Sequence, residues 1–139
     1  STLIRKMIFK GQVHQVKKLL GRPWCVEGKV IKGKQRGRTI GFPTCNIRYN
    51  SYTLPKLGVY SVQVQTKNLR KKGIANVGYR PTFSGKSLLL EVNIFGIKKN
   101  LYKKLLKISF IKFIRAEKKF KTINQLKTQI KKDITSAKK

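Results

Sequence analysis

Acidic residues are what this sequence has least of. Its 139 residues include four Asp and Glu against 34 Lys and Arg, a formal net charge of +30. Any chemistry that needs a carboxylate must come from Glu27, Glu91, Glu117 or Asp133. Cysteine and histidine are almost as scarce, with two Cys and one His. That excludes a disulfide scaffold and a zinc site built from Cys and His. Cys25 and Cys45 read as reduced structural thiols, which suits a cytoplasmic location. No apolar run reaches the roughly 18 residues that a membrane helix needs. The longest, residues 105–114, is interrupted by Lys107 and Lys112. No membrane insertion is expected, and the chain does not open with the apolar run of a secretory signal.

What is present is one domain's worth of chain, 40% of it apolar, enough to bury a core. A field of +30 attracts polyanions such as nucleic acid or nucleotide phosphates. Lysines such as Lys71, Lys72, Lys98 and Lys99 equally suit an ordinary solvated face. Nonspecific RNA binding is therefore one expectation, and a plain lysine-rich surface is the other.

Residues 3–20 carry helical periodicity, with Leu3, Ile4, Met7 and Ile8 on one face and Val13, Val16, Leu19 and Leu20 after Gly11. Gly21-Arg22-Pro23 ends it. Strand patterns follow. Residues 26–30 alternate, and residues 59–66 set Tyr60, Val62 and Val64 against Ser61, Gln63 and Gln65. Residues 73–78 form a short strand bounded by glycines. Residues 88–95 set Leu88, Leu90, Val92 and Ile94 opposite Glu91 and Asn93, and residues 105–114 form a longer strand. Thr122 and Gln125 make a capping box for a last helix with an apolar stripe of Ile123, Leu126, Ile130 and Ile134. Strands without intervening helices imply an antiparallel sheet, and closure into a small barrel removes its edges.

Among the carboxylates, Asp133 flanks the helix stripe and is expected to be a solvated partner for lysine. Glu27 lies in the first strand, and Glu117 in the connection before the last helix. Glu91 is mid-strand on the face opposite the apolar row. There it is either an outward surface residue or, if that face lines a cleft, the best-sited general base in the chain.

The second feature is GKQRGRTIGFPTCN, residues 33–46. Glycines let backbone N–H groups approach phosphates, and Arg36 and Arg38 supply forked donors. The run is not a Walker A loop. Beyond Pro43, Thr44 and Asn46 are two apart in an extended stretch and face one way. A hydroxyl and an amide oxygen side by side suit Mg²⁺, while Thr and Asn next to Pro are also ordinary turn residues.

The run 33–46 resembles the ATP- and magnesium-binding segment of riboflavin kinases, G-x-x-x-G-R-x-x-G-[FI]-P-T-A-N. LGRPW at 20–24, LGVY at 57–60, ANVGYRPTF at 75–83, LEV at 90–92 and FIRAEKKF at 113–120 resemble further motifs of that family, in order. Together they cover nearly all of residues 20–135. STLIR at 1–5 is similar to the end of the adenylyltransferase domain in bacterial bifunctional riboflavin kinase/FAD synthetases. The resemblance implies that residues 1–20 are the end of that upstream domain with a linker helix, and that 21–139 are the kinase domain. It implies a mainly β fold, a six-stranded antiparallel Greek-key barrel with a C-terminal helix and a short N-terminal helical lead.

The implied reaction moves the ATP γ-phosphoryl to the ribityl 5′-hydroxyl of riboflavin, giving FMN and ADP, with FAD not expected from this chain alone. By position, Gly33, Arg36, Gly37, Arg38, Gly41 and Thr44 would meet the nucleotide, and Thr44 and Asn46 would hold Mg²⁺. Glu91 would take the hydroxyl proton, and Arg115, Glu117 and Phe120 would belong to the flavin side. Three departures stand out. Cys45 replaces Ala, Tyr79 stands where Thr is common, and residues 95–103 lack the acids and glycine of L-D-x-x-x-D-L-Y-G. The alternative is a basic β-barrel that binds RNA without catalysis, although no aromatic row on one sheet face supports it.

Overall fold

The computed structural model describes residues 1–32, 42–48, 53–97 and 99–139. Two short helices, α1 (Thr2–Phe9) and α2 (Val13–Leu20), lead into β1 (Trp24–Ile31). Then come β2 (Cys45–Arg48), β3 (Gly58–Thr66), β4 (Leu69–Thr82), β5 (Gly85–Ile94) and β6 (Leu105–Arg115). A last helix, α3, spans Ile123–Lys138. The strands close into an antiparallel barrel in the order β1-β2-β5-β4-β3-β6, and pairing of β6 with β1 completes the ring.

Alternation does the sorting. On β3, Tyr60, Val62 and Val64 point inward and are buried, and Leu90, Val92 and Ile94 do the same on β5. Each large aliphatic side chain so buried contributes roughly 1.5–3 kcal/mol, which makes the interior the main source of stability. Phe110 and Tyr60 meet edge to face with ring centroids 5.0 Å apart, and Trp24 caps Phe110 at 4.9 Å. The Tyr60 hydroxyl leaves this apolar cluster to donate to the Lys56 carbonyl at 2.5 Å.

The strands run further than their patterns predict. β4 extends the expected 73–78 to Leu69–Thr82. Its outer stretches carry exposed Arg70, Lys71 and Lys72, whose pairing with β3 is made by backbone alone. The helical lead breaks at Gly11, with φ of +80°, and its α2 half packs on β6 and β1. Val13 and Val16 are fully buried there, and Ile8 of α1 is almost so.

The Thr122 hydroxyl accepts from Gln125 N at 3.1 Å, the N-cap expected of α3. The Gln125 side chain reaches back to Lys121 N, one residue before the cap. α3 lies against the outer face of β3, β4 and β6, with the connection 116–122 beside it. That packing makes one wall of the candidate site.

Candidate active site

The register of β2, β5 and β4 sets Asn46 opposite Glu91, and Glu91 opposite Asn76. Directly paired residues of antiparallel strands share a face, with Cβ atoms about 5 Å apart. Their neighbours Cys45, Val92 and Ala75, and Ile47, Leu90 and Val77, face the core. Asn46, Glu91 and Asn76 therefore form a polar row on the outer face, continued by Val59 of β3 and Arg115 of β6. The face of Glu91 lines a cleft.

Two cavities flank this row. A cleft of about 470 Å³ lies between the barrel and the wall formed by α3 and residues 116–122, lined by Glu91, Asn76, Arg80 and Glu117 among others. A smaller cavity of about 130 Å³ lies by β1, β2, the end of β5 and the connection after it, with Asn46, Lys32 and Tyr102 in its lining. Thr44 lines both, at the point where they approach each other. The PTCN segment is held in place from β5, since Asn93 Nδ2 donates to the Pro43 carbonyl at 2.7 Å. Cys45 turns inward against the core, and burial pushes its thiol pKa up.

Arg80 organises the electrostatics of the wide cleft. Its Nε donates to Glu91 Oε1 at 2.7 Å, and its Nη1 donates to the Tyr79 carbonyl at 2.8 Å. The same Nη1 lies 3.5 Å from Glu117 Oε2. One guanidinium thus ties the strand carboxylate to the wall of the cleft. Gly78 makes room for this arrangement, because a Cβ there would overlap Glu117 Oε1. Tyr79, the departure next to it, is 46% exposed at the cleft's edge, so its size is accommodated toward solvent.

The residues expected on the flavin side lie along that wall. Arg115 ends β6, Glu117 sits over Gly78, and Phe120 lies under the Arg115 guanidinium at 5.8 Å. The expectation for Asp133 is corrected here. It is no solvated lysine partner but 2% exposed, the one buried residue of α3. Arg115 Nε and Nη2 donate to its two carboxylate oxygens at 2.9 and 2.8 Å, and Gln129 Nε2 adds a bond at 3.0 Å. A desolvated carboxylate requires such partners, and Arg115 supplies them from β6, 18 residues earlier. The lock fastens α3 to the barrel and fixes the cleft's far wall.

Thr44, Asn46, Glu91, Arg115, Glu117 and Phe120 are thus gathered around two adjoining cavities. Gly33, Arg36, Gly37, Arg38 and Gly41 lie outside the described residues. Asn76, Arg80 and Asn93 complete the site and were not among its expected members. Asn76 and Arg80 stand in the ANVGYRPTF run, four apart on β4 and hence on one face, and that spacing was the available signal.

The departure at 95–103 keeps its turn by other means. Asn100 Oδ1 accepts from Tyr102 N at 2.9 Å, a bond an aspartate would also make. Lys103, at the glycine position, adopts φ of +69°.

Neither Thr44 nor Asn46 spends its side chain on a hydrogen bond to another described residue. Among the described residues no group of three or more His, Cys, Asp or Glu could hold a metal. None of the described helices is long and apolar enough to cross a membrane. Nothing supports the RNA-binding alternative, since Tyr60 and Phe110 are buried in the barrel instead of forming an outer platform.

The family model for riboflavin kinase (flavokinase) matches residues 20–139. The bifunctional riboflavin kinase/FMN adenylyltransferase of Haemophilus influenzae is 42% identical over 139 residues, 99% of this chain and 45% of that protein. The Bacillus subtilis protein of the same name is 42% identical over 137 residues, 96% of this chain and 43% of its own length. The chain therefore spans less than half the length of these curated relatives. A crystal structure named as a macrolide-efflux protein from Streptococcus pneumoniae superposes with a TM-score of 0.92 at 37% identity, over 99% of this chain and 46% of that one. Riboflavin kinase from Trypanosoma brucei superposes with a TM-score of 0.59 at 21% identity, over 84% of this chain and 78% of that one, a likeness of fold. Because that family model spans residues 20–139, the chain belongs to the riboflavin kinase family.

Proposed function

We propose that this chain transfers the γ-phosphoryl group of ATP to the terminal ribityl hydroxyl of riboflavin. The single observation that carries the reading is the meeting of the two cavities at Thr44, with Glu91 on the wide-cleft side and Asn46 on the other. A base and a pair of hard oxygen donors then stand on adjoining strands, one for each substrate.

In this reading riboflavin occupies the wide cleft with its terminal hydroxyl at Glu91. The hydroxyl oxygen forms a bond to the γ-phosphorus as the bond from that phosphorus to the β,γ-bridging oxygen breaks. The hydroxyl proton passes to Glu91, and ADP leaves. Arg80 holds the Glu91 carboxylate in position while leaving Oε2 without a hydrogen bond to a described residue. Arg115 shapes the flavin wall through Asp133, and Glu117 and Phe120 face the flavin from that wall. Phosphoryl transfer of this kind asks the protein for positioning and charge neutralisation more than covalent work, which suits a chain with four carboxylates.

Thr44 and Asn46 fit magnesium, because both are hard, uncharged oxygen donors with no competing partner among the described residues. When bound, Mg²⁺ offsets the charge that develops on the phosphate oxygens. Gly33, Arg36, Gly37, Arg38 and Gly41 are assigned to the nucleotide phosphates by their motif. We read residues 1–20 as the end of a preceding adenylyltransferase domain with its linker helix, and 21–139 as the kinase domain, acting in the cytoplasm where thiols stay reduced.

The test is incubation with riboflavin and MgATP, followed by chromatography of the flavins. The expected result is FMN without FAD, abolished by EDTA. No FMN from a folded sample at any ATP level overturns the reading.

A further inference from the structure

The ladder between β2 and β5 ends at Cys45, opposite Val92. One step further the same register would set Thr44 against Asn93, and there the pairing stops. Residues 42–44 belong to no strand, yet Thr44 is where the two cavities approach each other. A backbone that has left its ladder needs another hold if its side chains are to stay in place. Asn93 provides one. Its Nδ2 donates to the Pro43 carbonyl at 2.7 Å, across 50 residues of chain. That carbonyl and the Thr44 N–H share one planar peptide unit. A bond to the oxygen therefore fixes the plane from which Thr44 extends.

Asn93 is itself firmly placed. It pairs with Ile74 of β4, and Gly73 lets the two backbones close up, since a Cβ there would overlap the Asn93 carbonyl. Glu91 stands two residues earlier on β5 and shares its face. At the strand rise of about 3.4 Å per residue, their Cα atoms are about 7 Å apart. The geometry points to Asn93 as a positioning residue for the divalent metal: by holding Pro43 it keeps Thr44 in the lining it shares with Asn46, and so sets the affinity for magnesium-bound nucleotide. This rests on the kinase reading above and goes beyond it by naming what holds the metal donors. One strand then carries both the base and the clamp on the metal segment.

The test is calorimetric binding of ADP, with saturating Mg²⁺ and in EDTA, to wild type, Asn93→Leu and Asn93→Asp. Leu keeps the volume of Asn and Asp keeps its shape. Neither donates, because an ionised carboxylate only accepts. The Kd for ADP with Mg²⁺ is expected to rise about 10- to 100-fold in both, the usual effect of removing a partner that orients metal ligands. In EDTA the Kd of Asn93→Leu should stay close to that of the wild type. Asn93→Asp is the sharper case, because its added charge would by itself attract a cation. In turnover, KM for MgATP should rise by a similar factor while kcat changes less. The ligand-free melting temperature should fall by only a few degrees, the scale of one hydrogen bond.

An unchanged Kd with Mg²⁺ in either variant, an equal rise with and without Mg²⁺ in Asn93→Leu, or tighter binding with Mg²⁺ by Asn93→Asp overturns the assignment. So does a far lower melting temperature with the metal dependence intact, which would make Asn93 purely structural. A wild type that binds ADP no better with Mg²⁺ than in EDTA overturns the magnesium assignment and this one with it. A wild type that binds ADP with Mg²⁺ and makes no FMN overturns the kinase reading alone, and the variants still decide the role of Asn93.

Discussion

The Arg80–Glu91 and Arg115–Asp133 pairs on the outer face of the barrel are built differently. Arg80 meets Glu91 through one nitrogen and one oxygen, and both side chains are about one-third exposed, at 32% and 31%. Arg115 grips Asp133 with a fork, and those side chains are 16% and 2% exposed. A pair this exposed contributes about 0–1 kcal/mol and can open at little cost to the fold. Breaking a buried pair by removing one partner costs about 3–5 kcal/mol. The same two functional groups therefore serve opposite purposes. In the proposed reaction the loose pair holds the carboxylate assigned to take the proton, and the tight pair holds the far wall of the cleft.

The largest effect should come from the tight pair. Asp133→Ala strands Arg115 and is expected to remove about 3–5 kcal/mol of stability, measured by urea denaturation. Asp133→Ala with an unchanged midpoint would mean that the two pairs do not differ. Next comes Gly78→Ala, which pushes Glu117 away from Arg80 while leaving the core alone. It should lower kcat by up to about 100-fold, the scale of a misplacement near 1 Å, with little change in melting temperature.

A control away from both pairs is Lys103→Gly. Lys103 holds φ of +69° without the freedom of glycine. Replacement should raise stability by about 1 kcal/mol, read as a higher urea midpoint at constant slope. The smallest effect belongs to Cys45, whose thiol pKa is raised by burial. The unfolded chain gives up that proton first as pH rises. Its contribution is thus complete below about pH 8.5 and declines through the alkaline range above. Cys45→Val should flatten that part of the alkaline loss, seen by comparing denaturation midpoints at pH 8 and pH 10.

The difference between the pairs also marks what the sequence could and could not reveal. Strict alternation made β3 and β5 legible, and with them the outward face of Glu91. The capping box placed the start of α3. Asp133 was misjudged because its partner is a residue of another element, and only packing of α3 on the barrel makes that flank of the helix interior. β4 was legible only at its centre, since Arg70, Lys71 and Lys72 join the ladder through backbone bonds that carry no side-chain pattern. Asn76 and Arg80 were in view as letters of a motif. Register sets Asn76 opposite Glu91, while Arg80, paired with Ser87, reaches Glu91 with its long side chain. The phosphate-loop residues from Gly33 to Gly41 lie outside the described residues and rest on their motif.

One measurement goes to the centre of this account: turnover and thermal melting of Glu91→Gln beside the wild type. FMN formation is expected to fall by about 100- to 10,000-fold, the usual contribution of a positioned general base. The melting temperature is expected to stay within a few degrees, because the pair with Arg80 is loose. Glu91→Gln turning over at near the wild-type rate, or melting far below it, would contradict the claim that the exposed pair is the one that does chemistry.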